Sequence, residues 1–308
     1  MMDISVVIPV RNEEFTIPEL ISRLEATLVA MSKKYEIIFV TDINTDRTLS
    51  VLKSFHEKNQ HIKLIKLSNS FGQHVAILAG LEYAKAKSVV IMDGDLEMYP
   101  EDIPKLHAKL QEGYELVYGY NKHKNRSFIN DLSSRFFNYM MKLSSDYSFD
   151  HNSNMFRILT SKAVNEVLNF KETQPSLTYI MGLINLPTTG IELEFGKREF
   201  GKTNYSLKSQ FSLALNSILS FSTKPLRAIS LFGFTISFFS FIYLLFVLVQ
   251  KFFTSYGGLG WGTVIVLITF FGGIQLLAIG IIGEYIGRIF LQSKNRPRYV
   301  IEEKFGDL

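Results

Sequence analysis

Two stretches near the carboxyl end constrain this chain more than anything before them. Residues 228–250 run for 23 positions without a charge, and residues 262–283 for another 22. At about 1.5 Å per helical residue the first reaches roughly 35 Å, enough for the hydrocarbon core of a bilayer. Uncharged runs of this length are rare in soluble domains, so two transmembrane helices are expected. The mean hydropathy of +0.13 agrees, since a fully soluble chain is usually more polar. The flanking charges orient the pair. Lys197, Arg198, Lys202, Lys208, Lys224 and Arg227 precede the first run, Arg288, Lys294, Arg296 and Arg298 follow the second, and the connection 251–261 holds only Lys251. By the positive-inside rule both termini face the cytoplasm and the connection lies outside.

The segment before these runs alternates two periodicities. Residues 4–10 and 88–92 are nearly continuous apolar stretches, as strands buried on both faces are, and 36–40 reads likewise. Residues 62–67 (IKLIKL) alternate and read as a strand nearer an edge. Helical spacing marks 14–31, 48–56 and 72–86. Strands alternating with helices imply a mainly parallel α/β sheet, whose ligands sit beyond the carboxyl ends of the strands. Residues 206–221 are amphipathic and read as an interfacial helix. The tail after residue 292 reads as short, polar and basic. The start, MMDISVVIPVRNEE, lacks the basic, apolar and small-residue order of a cleaved signal, which leaves the first domain in the cytoplasm. Absence of cysteine excludes disulfides and thiolate zinc sites. A net charge of +4 does not by itself call for nucleic acid, and an anionic membrane surface accounts for it equally well.

Four polar clusters follow from that topology: Pro9, Arg11, Asn12 and Glu13 after the first strand; Thr41 to Asp46 after the second; Asp93, Gly94, Asp95, Leu96 and Glu97 after 88–92; and Arg198, Gly201, Lys202, Thr203 and Tyr205 ahead of the membrane. Asp93 and Asp95, one residue apart at a strand end, can converge on one hard cation. Magnesium and manganese prefer oxygen ligands and keep places for phosphate oxygens. An Asp-Gly-Asp in isolation is more often a solvated turn; the buried strand ahead of it favours the metal. Glu97 reads equally as a further metal or water ligand or as an exposed carboxylate. Asp42 suits hydrogen bonds from a base or ribose, with helix capping as the bland alternative, and Asp46 reads as the cap. Arg198 and Lys202 beside a glycine suit phosphate; the alternative is a basic stripe attracted to lipid. His74 is assigned no role.

In order, these clusters resemble glycosyltransferase family 2. VVIPVRNEE is similar to that family's VVIPxYNE, FVTDINTDRT to VxDGSxDxT, and LSNSFGQHVAILAGLEYAKAKSVVIMDGDLEMYPEDI to its NxGxxxAxxxGxxxAxGDxVVxMDADLQDPPExI. Further on, REFGKTNYSL resembles the RxxGxSKYSL of the polyprenyl-phosphate branch, and FSTKPLRAISLFG, GEYIGRIF and RPRYVIEE resemble its membrane region and tail. The resemblance covers nearly the whole chain and implies a GT-A (Rossmann-like) catalytic domain over 1–205, an amphipathic juxtamembrane helix over 206–227, a two-helix transmembrane region over 228–290 and a cytoplasmic tail over 291–308. It implies inverting transfer of a sugar from a nucleotide-sugar to a polyisoprenyl (undecaprenyl) phosphate at a bacterial inner membrane, yielding a lipid-linked monosaccharide for envelope glycans. A dimer or tetramer is common among such relatives.

By resemblance Pro9, Asn12, Glu13, Asp42 and Asp93 line the nucleotide-sugar, and Asp93, Asp95 and Glu97 hold Mg2+ or Mn2+. The acceptor or its phosphate meets Arg126, Arg135, Arg198 and Lys202, and Asp93, Asp95 and Arg198 are the catalytic set. An acceptor phosphate is already anionic at neutral pH, so catalysis is expected to rest on alignment and charge neutralisation. Three departures stand out: Ile43-Asn44 replaces Gly-Ser, Glu97 replaces Gln, and HNSNMF (151–156) replaces a more regular segment. Two alternatives accompany the reading: a processive polysaccharide synthase, disfavoured because the sole tryptophan, Trp261, cannot form a QxxRW element, and an inactive binding protein on the same fold.

Overall fold

The computed structural model describes residues 2–121, 153–172, 177–184, 186–196, 224–253 and 261–308. One compact unit is built on an eight-stranded sheet. Its centre is four parallel strands, β1 (Ile4–Val10), β2 (Tyr35–Thr41), β3 (Ile62–Leu67) and β4 (Ser88–Ile91), in the order β4-β1-β2-β3. They are mostly apolar because both faces are covered, with Ser5, Glu36 and Lys63 among the buried polar exceptions. Ile4, Val6, Ile8 and Val10 pack with α1 (Ile17–Ala30), α2 (Thr48–Lys58) and α4 (Ile103–Leu110). Val7, Ile38 and Val40 turn the other way, onto α3 (Gln73–Tyr83), α5 (Ser161–Asn169) and α6 (Leu177–Leu183). Side chains such as Ile8, Phe39 and Ile38 are fully buried, and each contributes about 1.5–3 kcal/mol by leaving water.

Pro9 sits near the end of the central strand, and its missing N–H costs nothing there. The Val7 carbonyl accepts from Met92, so odd-numbered residues of β1 face β4, and the β1–β4 ladder ends at the Val7 and Ile91 pair. Only the partnership with β2 continues, through Pro9 with Val40 and Val10 with Thr41. Proline is therefore tolerated where a central strand would reject it.

Beyond β4 the sheet extends through β6 (Ser153–Thr160), antiparallel to β4 and to β5 (Leu116–Tyr120), with β7 (Thr188–Glu192) parallel to β5 at that edge. At the other edge the tail, read from sequence as short, polar and basic, adds a strand that reading did not contain: Ile301–Phe305 forms β8, antiparallel to β3, so β3 lies one strand in from the edge. Its outward glutamates pair with lysines of the sheet and α2, Glu302 with Lys66 at 2.6 Å and Glu303 with Lys53 at 3.1 Å. Residues from Arg296 onward belong to the sheet's own compact unit.

A second unit contains two long helices, α7 (Lys224–Phe253) and α8 (Trp261–Ser293), over the two uncharged runs. Among the described residues one stretch is long and apolar enough to cross a membrane, Phe270–Ser293, and Ile229–Tyr243 is a shorter apolar helix. Leu276, Leu277 and Ile279 are exposed, as side chains facing lipid would be. The expected interfacial helix over 206–221 lies outside the described residues.

Candidate functional site

Strand register gathers three of the four polar clusters at one edge. Val10 pairs with Thr41 and Val7 with Ile91, so Arg11–Glu13, Asp42–Asp46 and Asp93–Glu97 leave adjacent strands at their carboxyl ends. Asp42 is buried. Its Oδ2 accepts a hydrogen bond from the Ser70 hydroxyl at 2.7 Å, and Ser70 in turn accepts from an Arg11 guanidinium nitrogen at 3.1 Å. The other oxygen, Oδ1, is enclosed without a hydrogen bond among the described residues and has Arg11 Nε at 3.7 Å. A buried acceptor of this kind is costly unless a donor reaches it. Ser70 carried no signal in the sequence, because nothing local links the loop after β3 to the end of β2.

Asn12 and Asn44 join the loops after β1 and β2. The Asn12 N–H donates to Asn44 Oδ1 at 3.0 Å, and the Thr45 N–H donates to Asn12 Oδ1 at 2.8 Å. Asn44 Nδ2 donates back to Thr41 Oγ1 at 2.6 Å and to the Asp42 carbonyl at 3.1 Å. Asn12 lies in the left-handed region, φ 57°, which asparagine tolerates better than most residues. Thus Asn44, a departure from the usual Gly-Ser, makes the turn after Asp42 itself, while Ile43 projects half-exposed. Next in the chain, Asp46 accepts from the Thr48 N–H at 3.0 Å, the Thr48 hydroxyl at 2.9 Å and the Glu14 N–H at 3.2 Å. Burial opposes its charge, but these hydrogen bonds outweigh burial and hold its pKa below the usual range. The sequence reading of Asp46 as the cap is corrected by one position: Arg47 is the N-cap of α2, and Asp46 just before it takes the N–H of the helix's first residue. Glu13 is held through its N–H on Thr48 Oγ1 at 2.8 Å.

The Asp93–Glu97 loop is shaped from both sides. A Cβ on Gly94 would stand 2.7 Å from Val10 Cγ1, so the loop lies close against β1 and an alanine there would require the Val10 side chain to shift. The Gly94 carbonyl accepts from Thr16 Oγ1 at 2.8 Å, tying the loop to the start of α1. Asp95 Oδ1 accepts from the Glu97 N–H at 3.1 Å, and Leu96 between them has φ 61°. The Glu97 carbonyl accepts from the Gly196 N–H at 2.9 Å. Gln73, at the first turn of α3, donates to Asp93 Oδ1 at 2.6 Å. No three His, Cys, Asp or Glu side chains converge as a metal cage among the described residues. The donor set is instead one or two carboxylates, which suits a hard cation that takes its remaining ligands from water and phosphate. Glu97 as a third ligand gains no support from this arrangement. Arg126, Arg135, Arg198 and Lys202 lie outside the described residues.

Behind the loop, Arg157 of β6 stands in register with Ile91 and Tyr118. It donates to the Asn154 carbonyl at 2.8 Å, to Met181 Sδ at 2.8 Å and to Thr178 Oγ1 at 3.1 Å. Burial lowers its pKa to about 10. Burial, and then the field of Arg157, also lowers the pKa of His74, which keeps that imidazole neutral.

Residues 5–168 match the family described as Glycosyl transferase family 2. The chain belongs to that family. It is 34% identical over 98% of its length, and 94% of the relative's, to the glycosyltransferase YkcC of Bacillus subtilis. It is 33% identical, again over 98% of this chain and 94% of the relative, to the undecaprenyl-phosphate 4-deoxy-4-formamido-L-arabinose transferase of Yersinia enterocolitica. Among solved structures, glucosyl-3-phosphoglycerate synthase from Mycobacterium tuberculosis, in complex with Mn2+, UDP-glucose and phosphoglyceric acid, superposes with a TM-score of 0.52 at 17% identity. It covers 71% of this chain and 78% of that one and shows a shared GT-A-like sheet fold. The protein is a family 2 glycosyltransferase, and the inactive alternative raised by the sequence is set aside. In this family member the strand-end carboxylates Asp42, Asp93 and Asp95 are all present, and hydrogen bonds restrain Asp42, Asp95 and the turn-forming Asn44.

Proposed function

We propose that this glycosyltransferase moves a sugar, with inversion, from a nucleotide-sugar to a polyisoprenyl phosphate such as undecaprenyl phosphate. The carrying observation is full-length similarity to relatives named undecaprenyl-phosphate sugar transferases, extending through both long helices as well as the sheet domain. On this reading Asp42 Oδ1 receives a donor from the nucleotide, beside Pro9, Asn12 and Glu13. Asp93 and Asp95, with Glu97 near them, hold the diphosphate end with Mg2+ or Mn2+. Such an ion supplies positive charge to the departing diphosphate. The residues' own part is alignment: the Asn12–Asn44 clamp and the Gly94 contact hold two loops at a set distance, and reactions of this type respond steeply to misplacement. Arg198 and Lys202, together with Arg126 and Arg135, serve the acceptor phosphate. Gly196, two positions before Arg198 in the sequence, donates its N–H to the Glu97 carbonyl.

The two long helices are proposed as membrane spans, with the catalytic domain and both termini in the cytoplasm. The charges flanking the spans support this orientation. Arg198→Lys tests the acceptor role: it keeps the charge but loses the bidentate fork, so turnover with undecaprenyl phosphate should fall on the order of tenfold. Unchanged kinetics for both substrates in that variant would assign Arg198 to lipid attraction alone.

A further inference from the structure

Gln73 stands outside every residue set considered so far, yet it is the described side chain that grips Asp93. Its Nε2 lies 2.6 Å from Asp93 Oδ1. The amide N–H donates and the Asp93 oxygen accepts, and the bond restrains the rotation of that carboxylate about its Cβ–Cγ axis. Gln73 is itself placed by its helix. α3 approaches β1 so closely that a Cβ on Gly80 would lie 2.3 Å from Val7 Cγ1, and Val75, Ala76, Ile77, Leu78, Ala79 and Leu81 are buried. The Ala76 N–H closes the first turn on the Gly72 carbonyl at 3.1 Å. A rigid, sheet-locked helix therefore presents one amide to one carboxylate across a crossover, 20 positions further along the chain.

We propose that Gln73 is the positioning residue of Asp93: it orients the carboxylate toward the divalent ion of the nucleotide-sugar diphosphate. The inference rests on the reading of Asp93 and Asp95 as the ion's carboxylates. Partners one step removed from a metal ligand typically carry tenfold to a hundredfold of its affinity. When the donor is lost, the carboxylate is free to turn and the ion is bound more weakly.

The test uses the full-length protein in detergent with UDP added, and Mn2+ as the probe, following the free-ion paramagnetic resonance signal at about pH 7. Gln73→Met keeps the length of the side chain and removes the donor. It should raise the Mn2+ dissociation constant about tenfold, with the unfolding temperature unchanged. An Asp95→Ala control is run beside it. If Asp95→Ala loses Mn2+ while Gln73→Met binds with wild-type affinity, the positioning role is overturned and the carboxylate reading stands. If Asp95→Ala itself binds Mn2+ normally, the carboxylate reading falls and the role of Gln73 falls with it.

Discussion

Removing the charge of Lys63 should destabilise the catalytic unit more than any surface change and should reverse its response to acid. Glu36 lies in β2 with its side chain fully buried, and Lys63 in β3 with its side chain 7% exposed; their charged atoms are 2.8 Å apart. Glu36 Oε1 also accepts from the Ser5 hydroxyl at 2.5 Å and the Lys85 N–H at 2.9 Å. Lys63 Nζ donates to the Asp307 carbonyl at 2.6 Å, which secures the end of the chain beyond β8. Breaking a buried pair by deleting one partner costs about 3–5 kcal/mol, because the survivor stays buried and charged. Ser5 and Lys85 still serve Glu36, which favours the lower end, so Lys63→Met should cost about 3 kcal/mol. At roughly 2–4 °C per kcal/mol for a unit of this size, the unfolding midpoint should fall by roughly 6–12 °C. The assay is heating of detergent-solubilised protein followed by size-exclusion chromatography.

The pH response carries the sign. In the wild type, burial opposes the Glu36 charge but the hydrogen bonds from Lys63, Ser5 and Lys85 outweigh it, and the folded pKa is below normal. That contribution is present above the unfolded carboxylate range and is lost as pH falls through the folded value. Without Lys63, burial dominates and the folded pKa rises, so the variant should regain stability as pH drops from 7 toward 5, where the wild type does not. Adding Glu36→Gln to Lys63→Met should recover most of the loss. A single variant within 2 °C of wild type, or a double variant no better than the single, would refute the reasoning.

Three further outcomes are expected. Asn44→Ala removes the acceptor of the Asn12 N–H and the bonds that hold the turn to Thr41 and Asp42, leaving only Thr45 on Asn12, and should cut turnover at least tenfold while lowering the unfolding midpoint by only a few degrees, read by kinetics and heating together. His74 has a lowered pKa in the fold but its ordinary pKa of about 6.5 when unfolded, so the unfolded chain takes up the proton first and stability should decline as pH falls below about 6.5; His74→Leu should flatten that slope between pH 6.5 and 5 in acid-denaturation midpoints. Reporter fusions after residue 308 and within residues 254–260 should report opposite sides of the membrane, and matching sides would remove one of the two spans.

Much of the sheet's centre could be read from local sequence because burial on both faces leaves an unbroken apolar run, as in residues 4–10 and 36–40. The carboxylates Asp42 and Asp93 were legible for the same reason: each follows such a run, at the end where α/β sheets bind ligands. β8 was not legible. Its pattern, IEEKF, is as polar as a solvated tail, and what makes it a strand is an edge more than 230 residues away with Lys53 and Lys66 waiting for Glu302 and Glu303. From sequence, Ile43-Asn44 in place of Gly-Ser says only that the turn after Asp42 departs from the family's pattern. In three dimensions the longer side chain takes over the turn's hydrogen bonds, and only the partner loop, at Asn12, reveals it. Gln73 was invisible because helical periodicity marks which residues are buried and says nothing of which exposed one reaches across a crossover to a carboxylate.

The most direct test of the account is product formation by the purified full-length enzyme. Undecaprenyl phosphate in detergent would be incubated with a panel of radiolabelled nucleotide-sugars and MgCl2 or MnCl2, and the organic phase counted after solvent partition. The account predicts a labelled lipid-linked monosaccharide with at least one donor. Its formation should require the acceptor phosphate, stop in excess chelator, and fall by several orders of magnitude in Asp95→Ala. Labelled lipid that forms equally without undecaprenyl phosphate, or with full rate in chelator and in Asp95→Ala, would contradict it.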